Sequence, residues 1–250
     1  MKLSIITVCF NSQETIEDTI QSVLSQTYHD IEYIIIDGNS TDRTLEKIEA
    51  YKKNISRVIS EPDNGIYDAI NKGVWLATGD VIAVLNSDDV YADQTVAAKM
   101  IDLIAKDAFD AAYADLIYVD KDDTNKVIRT WKAGKYKRGS FCYGWVPPHP
   151  TFFCRKNIFE KFGYYNSDFK IASDFELLLR FIEKNQIKIG YLPNVIVKMR
   201  TRGKSNVLRG ILQGNQEILK SFGMNNLKYS PLFFFCKPVI KFSQFFKKFW

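Results

Sequence analysis

The chain is poor in the residues that close disulfides or hold structural metals: 250 residues include four cysteines and two histidines. Cys9, Cys142, Cys154 and Cys236 lie far apart and no C-x-x-C pair occurs, which excludes a zinc knuckle and a dense disulfide framework and suits a reducing compartment. Long apolar runs are missing too. None approaches the roughly 20 residues that a bilayer-spanning helix needs. The N-terminal stretch after Lys2 is broken by Asn11 and Ser12 with no small-residue cleavage site, unlike a signal peptide. No G-x-G-x-x-G follows the first apolar run and no G-x-x-x-x-G-K-[ST] occurs, which argues against a dinucleotide oxidoreductase and a P-loop NTPase. What is present is a globular composition, 46% hydrophobic and 25% charged, sufficient for one main domain with an appendage.

The net charge of +5 conceals an asymmetry. Residues 1–197 hold 23 Lys+Arg against 28 Asp+Glu, whereas residues 198–250 hold 11 basic residues and a single acid, Glu217. Such a basic segment suits nucleic acid, anionic lipid or a phosphorylated ligand, and charge alone does not choose among them.

Along the chain, Leu3 to Phe10 is a short apolar, β-branched run, followed by a polar segment with Ile16, Ile20, Val23 and Leu24 at helical spacing. Glu32 to Ile36 predicts a second strand closed by DGNSTD, with Ser40 or Thr41 capping the helix that carries Leu45 and Ile48. Arg57 to Ser60 reads as a third strand, Tyr67 to Thr78 as a helix, and Val81 to Leu85 as a fourth strand ending in NSDD. This alternation predicts an α/β fold with a doubly wound, mostly parallel sheet flanked by helices. Residues 95–106 then read as a helix, 111–120 as a strand, 126–131 as its hairpin partner, and SDFELLLRFIEKN as a helix with Ser173 at its N-cap.

Ligands of such sheets bind beyond the carboxyl ends of the strands. Asn11, Asp37 and the pair Asp88 and Asp89 all follow apolar runs, and three polar clusters on one edge predict a site. The segments SIITVCFNS, YIIIDGNSTDRT, GDVIAVLNSDD and ASDFELLLR occur in this order, and together they resemble family 2 glycosyltransferases of the GT-A fold over about residues 1–205. DNGIYDAINKG resembles the members that build bacterial surface polysaccharides.

The resemblance implies an inverting transfer of a hexose from a UDP-sugar. Departure of a diphosphate needs charge neutralisation, and strand-end carboxylates suit a divalent magnesium or manganese ion, which acts as a Lewis acid on the leaving group. Asp88 is the expected metal ligand, with Asp89 beside or behind it. The family usually has an acid two positions earlier, where this chain has Asn86, which brings a hydrogen-bonding group but no charge. By the same resemblance Asp37 accepts from the uracil or ribose, Thr7 and Asn11 line the base pocket, and Asn86 and Ser87 continue the donor site. Asn71 and Lys72 are placed near the donor, with Lys72 reaching a phosphate or standing in solvent. Asp174 matches the carboxylate that removes the acceptor proton. His149 falls in a Pro-flanked loop near the acceptor, in a catalytic, acceptor-binding or structural role. Arg200, Arg202 and Lys204 are expected to clamp the diphosphate with Gly203 as hinge, or to form an exposed basic loop. Tyr143, Trp145 and Trp131 are candidates for stacking on an acceptor sugar, or for the core.

Residues 228–250 hold nine aromatics and five lysines with no acid. Phe242, Phe245, Phe246 and Phe249 fall at helical spacing, which predicts an amphipathic helix lying on an anionic membrane surface, the alternative being a tail docked on the domain. The expected organisation is a catalytic domain over 1–205, with a nucleotide-binding half (1–92) and an acceptor-binding half (93–205), followed by a basic aromatic tail over 206–250. The resemblance and the tail together imply a lipid-linked saccharide acceptor, such as N-acetylglucosamine on diphospho-undecaprenol, at the cytoplasmic face of a bacterial membrane. No nucleic-acid motif is present. The competing readings are another nucleotide-sugar donor, retention of configuration, and a non-catalytic scaffold that holds a nucleotide or saccharide at the membrane.

Overall fold

The computed structural model describes residues 1–201 and 208–234. Four strands, β1 (Leu3–Cys9), β2 (Ile31–Asp37), β3 (Arg57–Ser60) and β4 (Val81–Val84), pair in parallel in the order β3-β2-β1-β4. They are joined by helices α1 (Ile16–Leu24), α2 (Thr44–Glu49) and α3 (Ile66–Leu76). Every residue of β1 is buried, because the sheet is covered on both faces. Leu3 and Ile5 pack with Ile16, Ile20 and Val23 of α1, while Ile6 and Val8 face Ile70 and Val74 of α3. Gly73 lets α3 approach β1, since a Cβ there would sit 2.4 Å from Ile6 Cγ2.

Beyond β4 the pairing becomes mixed. Strands β5 (Asp89–Tyr91), β6 (Ala111–Val119), β7 (Val127–Trp131), β8 (Phe153–Arg155) and β9 (Ile189–Arg200) complete a nine-stranded sheet among the described residues. β8 joins the two halves, antiparallel to both β4 and β6, and β9 runs parallel to β6 and antiparallel to β5. The β6–β7 hairpin forms as expected. β5, β8 and β9 do not stand out in the sequence: two have three residues each, and β9 contains Pro193. That proline is tolerated because the β6–β9 register shifts between Ala114 and Asp115, where Pro193 and Asn194 bulge outward.

Helices α4 (Val96–Lys106), α5 (Lys156–Phe162), α6 (Ser173–Leu178) and α7 (Leu208–Met224) complete the described structure. The helix expected after residue 173 changes character at Leu179–Lys184, where it becomes π-helical and the Asn185 amide donates to the carbonyl of Arg180 at 3.0 Å. Ser173 is not its N-cap. Ala172 holds that position, and the buried Ser173 hydroxyl has no partner. Nor do Ser40 and Thr41 cap α2: the Asp42 carboxylate receives the Thr44 amide at 2.9 Å instead. On α7 and just after it, Ile218, Phe222 and Phe233 are buried in the core that contains Phe141 and Phe175, so the described part of the tail docks on the domain. Arg202, Gly203, Lys204 and the predicted amphipathic helix around Phe242 to Phe249 lie outside the described residues.

Candidate active site

The parallel register aligns the ends of β1 and β2, pairing Cys9 with Asp37, while the Leu85 amide after β4 bonds to the Ile6 carbonyl at 2.9 Å. Three turns therefore meet at one edge. Asn11 and Asn39 both take the left-handed backbone conformation (φ 49° and 65°), which asparagine adopts more readily than most residues. The Asn11 amide donates to Ser40 Oγ at 2.8 Å, and Asn11 Oδ1 accepts from the Thr41 amide at 2.9 Å. Ser12 and Ser87 join the β1 and β4 turns through hydroxyls 2.8 Å apart. Phe10, the last residue of the first apolar run, projects from this edge with 60% of its surface exposed. It adjoins Gly38, where any Cβ would collide with Asp63 Oδ2 at 2.4 Å.

Asp37 is the buried organiser of these turns. It accepts from Ser40 Oγ (2.5 Å), the Ser40 amide (3.0 Å) and Ser60 Oγ (2.7 Å). The Cys9 thiol also faces it, and burial followed by the Asp37 charge keeps that thiol protonated. Thr7 does not line a base pocket. It is buried in mid-strand on the α1 face, bonded to the Tyr33 hydroxyl at 3.1 Å. Asn71 is likewise structural, its side-chain amide pairing with the Tyr165 backbone at 2.8 and 3.0 Å. Lys72 is tied to Glu61 at 2.8 Å and to the Pro62 carbonyl at 3.0 Å, and the bond to Glu61 raises its pKa.

At the end of β4, Asp88 is half-buried and Asp89 lies fully buried behind it. Burial, and then the Asp88 charge, push the Asp89 carboxyl well above the ordinary carboxylate range. Asn86 donates to Asp89 Oδ2 at 3.1 Å, whereas Oδ1 is buried without a well-aligned donor. A half-exposed carboxylate backed by a buried acid with an unengaged oxygen suits a hard cation at Asp88. Among the described residues no group of three His, Cys, Asp or Glu side chains could hold an ion. An ion there would share Asp88 with other oxygen ligands, such as substrate phosphates or water.

Arg200 closes this corner rather than reaching outward. Only 4% of its side chain is exposed; Nη1 donates to the Asp88 carbonyl at 2.9 Å and Nη2 pairs with Asp18 at 2.5 Å. It ties the end of β9 to the Asp88 turn, so the guanidinium expected at the diphosphate is engaged within the protein.

A second cluster gathers around Asp174, in the first turn of α6. Its Oδ1 accepts from the Tyr67 hydroxyl at 3.2 Å, and that hydroxyl also lies 2.8 Å from the Ile171 carbonyl. Tyr67 stacks on Tyr165 (6.0 Å between centroids, 14° between planes), and Tyr165 is hydrogen-bonded to His149 Nε2 at 2.7 Å. Burial lowers the His149 pKa, although Asp174 opposes it, so the imidazole is neutral at pH 7. Burial, followed by the Asp174 charge, raises both tyrosines and keeps their hydroxyls protonated. Burial raises the pKa of Tyr118, on β6, opposed by the Arg129 charge and reinforced by the charges of Asp89 and Asp174. Trp131 stacks parallel to Tyr118, and the Arg129 guanidinium lies 3.6 Å above the same ring. Trp145 belongs to the core, packed on Tyr113 and Phe141 with its indole N–H on the Ala133 carbonyl at 2.7 Å. Tyr143 is exposed.

Phe10, Tyr165, Tyr118 and Glu217, which the sequence did not single out, are brought beside these groups by the fold. For Phe10 a signal existed, an aromatic placed directly before the strand-end asparagine. The others are brought in by packing.

A parallel half-sheet whose strand ends carry polar turns, an acid pair after β4 and a separate carboxylate at the start of α6 are arranged as in a glycosyltransferase of the GT-A fold. Residues 4–165 match the model of glycosyl transferase family 2, and the chain belongs to that family and is a glycosyltransferase. A glycosyltransferase of Mycobacterium tuberculosis whose function is uncharacterized is 31% identical over 186 residues, covering 71% of this chain and 68% of the relative. A PGL/p-HBAD biosynthesis glycosyltransferase of Mycobacterium bovis is 26% identical over 203 residues, 80% of this chain and 77% of the relative. Among solved structures, S. aureus TarS 1–349 in complex with UDP-GlcNAc superposes with a TM-score of 0.68 at 17% identity, over 89% of this chain and 66% of that chain. That likeness establishes the fold.

Proposed function

We propose that this glycosyltransferase moves a hexose from a UDP-sugar to a lipid-linked saccharide, with inversion, forming a β-glycosidic bond during synthesis of a surface polysaccharide or glycolipid. The observation that carries the reading is the pair of partly exposed carboxylates in a chain of this family, Asp88 after β4 and Asp174 in the first turn of α6. The aromatic face of Phe10 and the Asn11–Ser40 turn form the seat for the base, and Asp37 holds that seat in shape from beneath.

In the reaction, an acceptor hydroxyl attacks the anomeric carbon as the bond to the UDP oxygen breaks. Asp174 takes the hydroxyl proton, and the electron pair leaves with the diphosphate. Tyr67 restrains the Asp174 carboxylate through a hydrogen bond of 3.2 Å. A divalent manganese or magnesium ion, when bound, neutralises the departing diphosphate, and Asp88 is the residue that would hold it. Asn86 in place of an acid leaves that site with less charge, which makes metal affinity depend strongly on the nucleotide. In this reading His149, whose ring is hydrogen-bonded to the Tyr165 hydroxyl at 2.7 Å, serves the acceptor.

The basic aromatic segment supports a peripheral position on an anionic membrane, where a lipid-linked acceptor would be met. Among the described residues no helix is long and apolar enough to cross a membrane.

Calorimetry with UDP-glucose, UDP-galactose, UDP-N-acetylglucosamine, GDP-mannose and dTDP-glucose, first with manganese and then with chelator, tests the reading. The expected result is metal-dependent binding of one UDP-sugar. A folded protein that binds no nucleotide with metal present would overturn the donor assignment. A product retaining the donor's α configuration would remove the role given to Asp174.

A further inference from the structure

Glu217 is the single acid of residues 198–250, and it is not spent on the surrounding lysines. It lies on α7, beyond the residues that match the family model. Its carboxylate accepts three consecutive backbone amides of the loop that leads into α6: Lys170 on Oε1 at 3.0 Å, and Ile171 and Ala172 on Oε2 at 2.9 and 2.8 Å. Gln213, one turn earlier on α7, donates to Oε1 at 3.0 Å and sets the side chain's direction. Three successive N–H groups aimed at one point form an anion-binding concavity. Here an internal carboxylate fills it. Although burial opposes ionisation, the three amides hold the Glu217 pKa below the ordinary range.

The same loop is also gripped by α3. The Tyr67 hydroxyl of α3 lies 2.8 Å from the Ile171 carbonyl and 3.2 Å from Asp174 Oδ1. Asp174 follows two residues after Ala172, so its position is set by a peptide segment fastened by both α3 and α7. Tyr67 contacts the carboxylate directly, whereas Glu217 acts only through the backbone.

We infer that Glu217 is a positioning residue for Asp174, and that α7 is thereby a working part of the catalytic site rather than a support for the tail. This rests on Asp174 being the base. A misplacement of about 1 Å in a reacting group costs on the order of 10²-fold in rate. Loss of Glu217 therefore lowers turnover, while the donor seat on β1, β2 and β4 is untouched.

The test compares Glu217→Ala, Glu217→Gln and Asp174→Asn, following UDP release from the UDP-sugar that binds in the calorimetric panel, in the full chain. Glu217→Ala is expected to lower kcat by about 10- to 100-fold, with KM and calorimetric Kd for the donor within about twofold. Hydrogen exchange at the Ile171 and Ala172 amides should accelerate. Glu217→Gln keeps one acceptor oxygen and is expected to recover most of the loss. The double variant Asp174→Asn/Glu217→Ala should be no slower than Asp174→Asn alone, because residues acting as a unit are not additive. An unchanged kcat in Glu217→Ala, a matching loss of donor affinity, or an additive double variant would overturn the inference. Should Glu217→Ala not fold, Glu217→Asp, which withdraws the carboxylate by one methylene, carries the same expectation and the same refutation. If Asp174→Asn retains turnover, the base assignment itself fails and this inference fails with it. If Asp174→Asn is inactive and Glu217→Ala is not impaired, the inference fails alone.

Discussion

Replacing Arg200 by methionine separates two physical roles by their effect on the nucleotide-free protein. The guanidinium is 4% exposed and makes a charged hydrogen bond to the Asp88 carbonyl at 2.9 Å, a type that contributes about 1.5–3 kcal/mol. Its partner Asp18 is 55% exposed, so that ion pair adds only about 0.5–1 kcal/mol after solvent screening. Against this, Arg200 Nε is buried without a partner, a cost of about 1–3 kcal/mol that methionine removes. The net expectation for Arg200→Met is a loss of about 1 kcal/mol, worth about 2–4 °C in Tm at this chain length. Urea unfolding of the nucleotide-free protein at 25 °C should show a lower midpoint with an unchanged slope. Donor affinity should fall as well, because the Asp88 turn loses its latch to β9. A pure diphosphate clamp would behave differently, since an arginine held for an absent ligand contributes nothing to the free protein. Unchanged or higher stability in Arg200→Met, with only donor affinity lost, would refute the latch.

Two further outcomes follow from the same structure. Because the folded-state pKa of His149 is depressed below its ordinary value, the unfolded chain takes up a proton that the native protein does not, so stability should fall as pH drops below about 6.5, by at most about 1.4 kcal/mol per pH unit. Urea titrations between pH 7.5 and 5.5 should show this slope in the native sequence and a smaller one in His149→Gln; equal slopes would mean the imidazole is not held neutral by its site. For the tail, deleting residues 235–250 should release the protein from anionic liposomes while leaving Phe233 in the core, and unchanged sedimentation with liposomes would contradict a membrane role for that segment.

The first 92 residues were nearly legible as a sequence, for a physical reason. Strands buried on both faces, such as β1 and β2, must be continuous apolar runs, and the helices between them show a single apolar face. The polar clusters at Asn11, Asp37 and Asp88 stand out because a chain leaving a buried strand has to turn, and three such turns on one edge of a parallel sheet must converge. The family resemblance singled out Asp174, which periodicity alone reads as a residue of the first turn of a helix. Tertiary structure decided what each side chain does there. Thr7, Asn71 and Lys72 have the right chemistry and the right position in the chain, yet each is engaged by a neighbour distant in sequence: Tyr33, Tyr165 and Glu61. Arg200 reads as a mobile cation until β9 is seen pairing with β5, which places the guanidinium beside the Asp88 carbonyl. Glu217 reads as one stray acid in a basic segment until α7 docks it against three amides 45 to 47 residues away. Burial patterns belong to a segment and are written in it, whereas a hydrogen-bond partner is a relation between segments and exists only once the chain has folded.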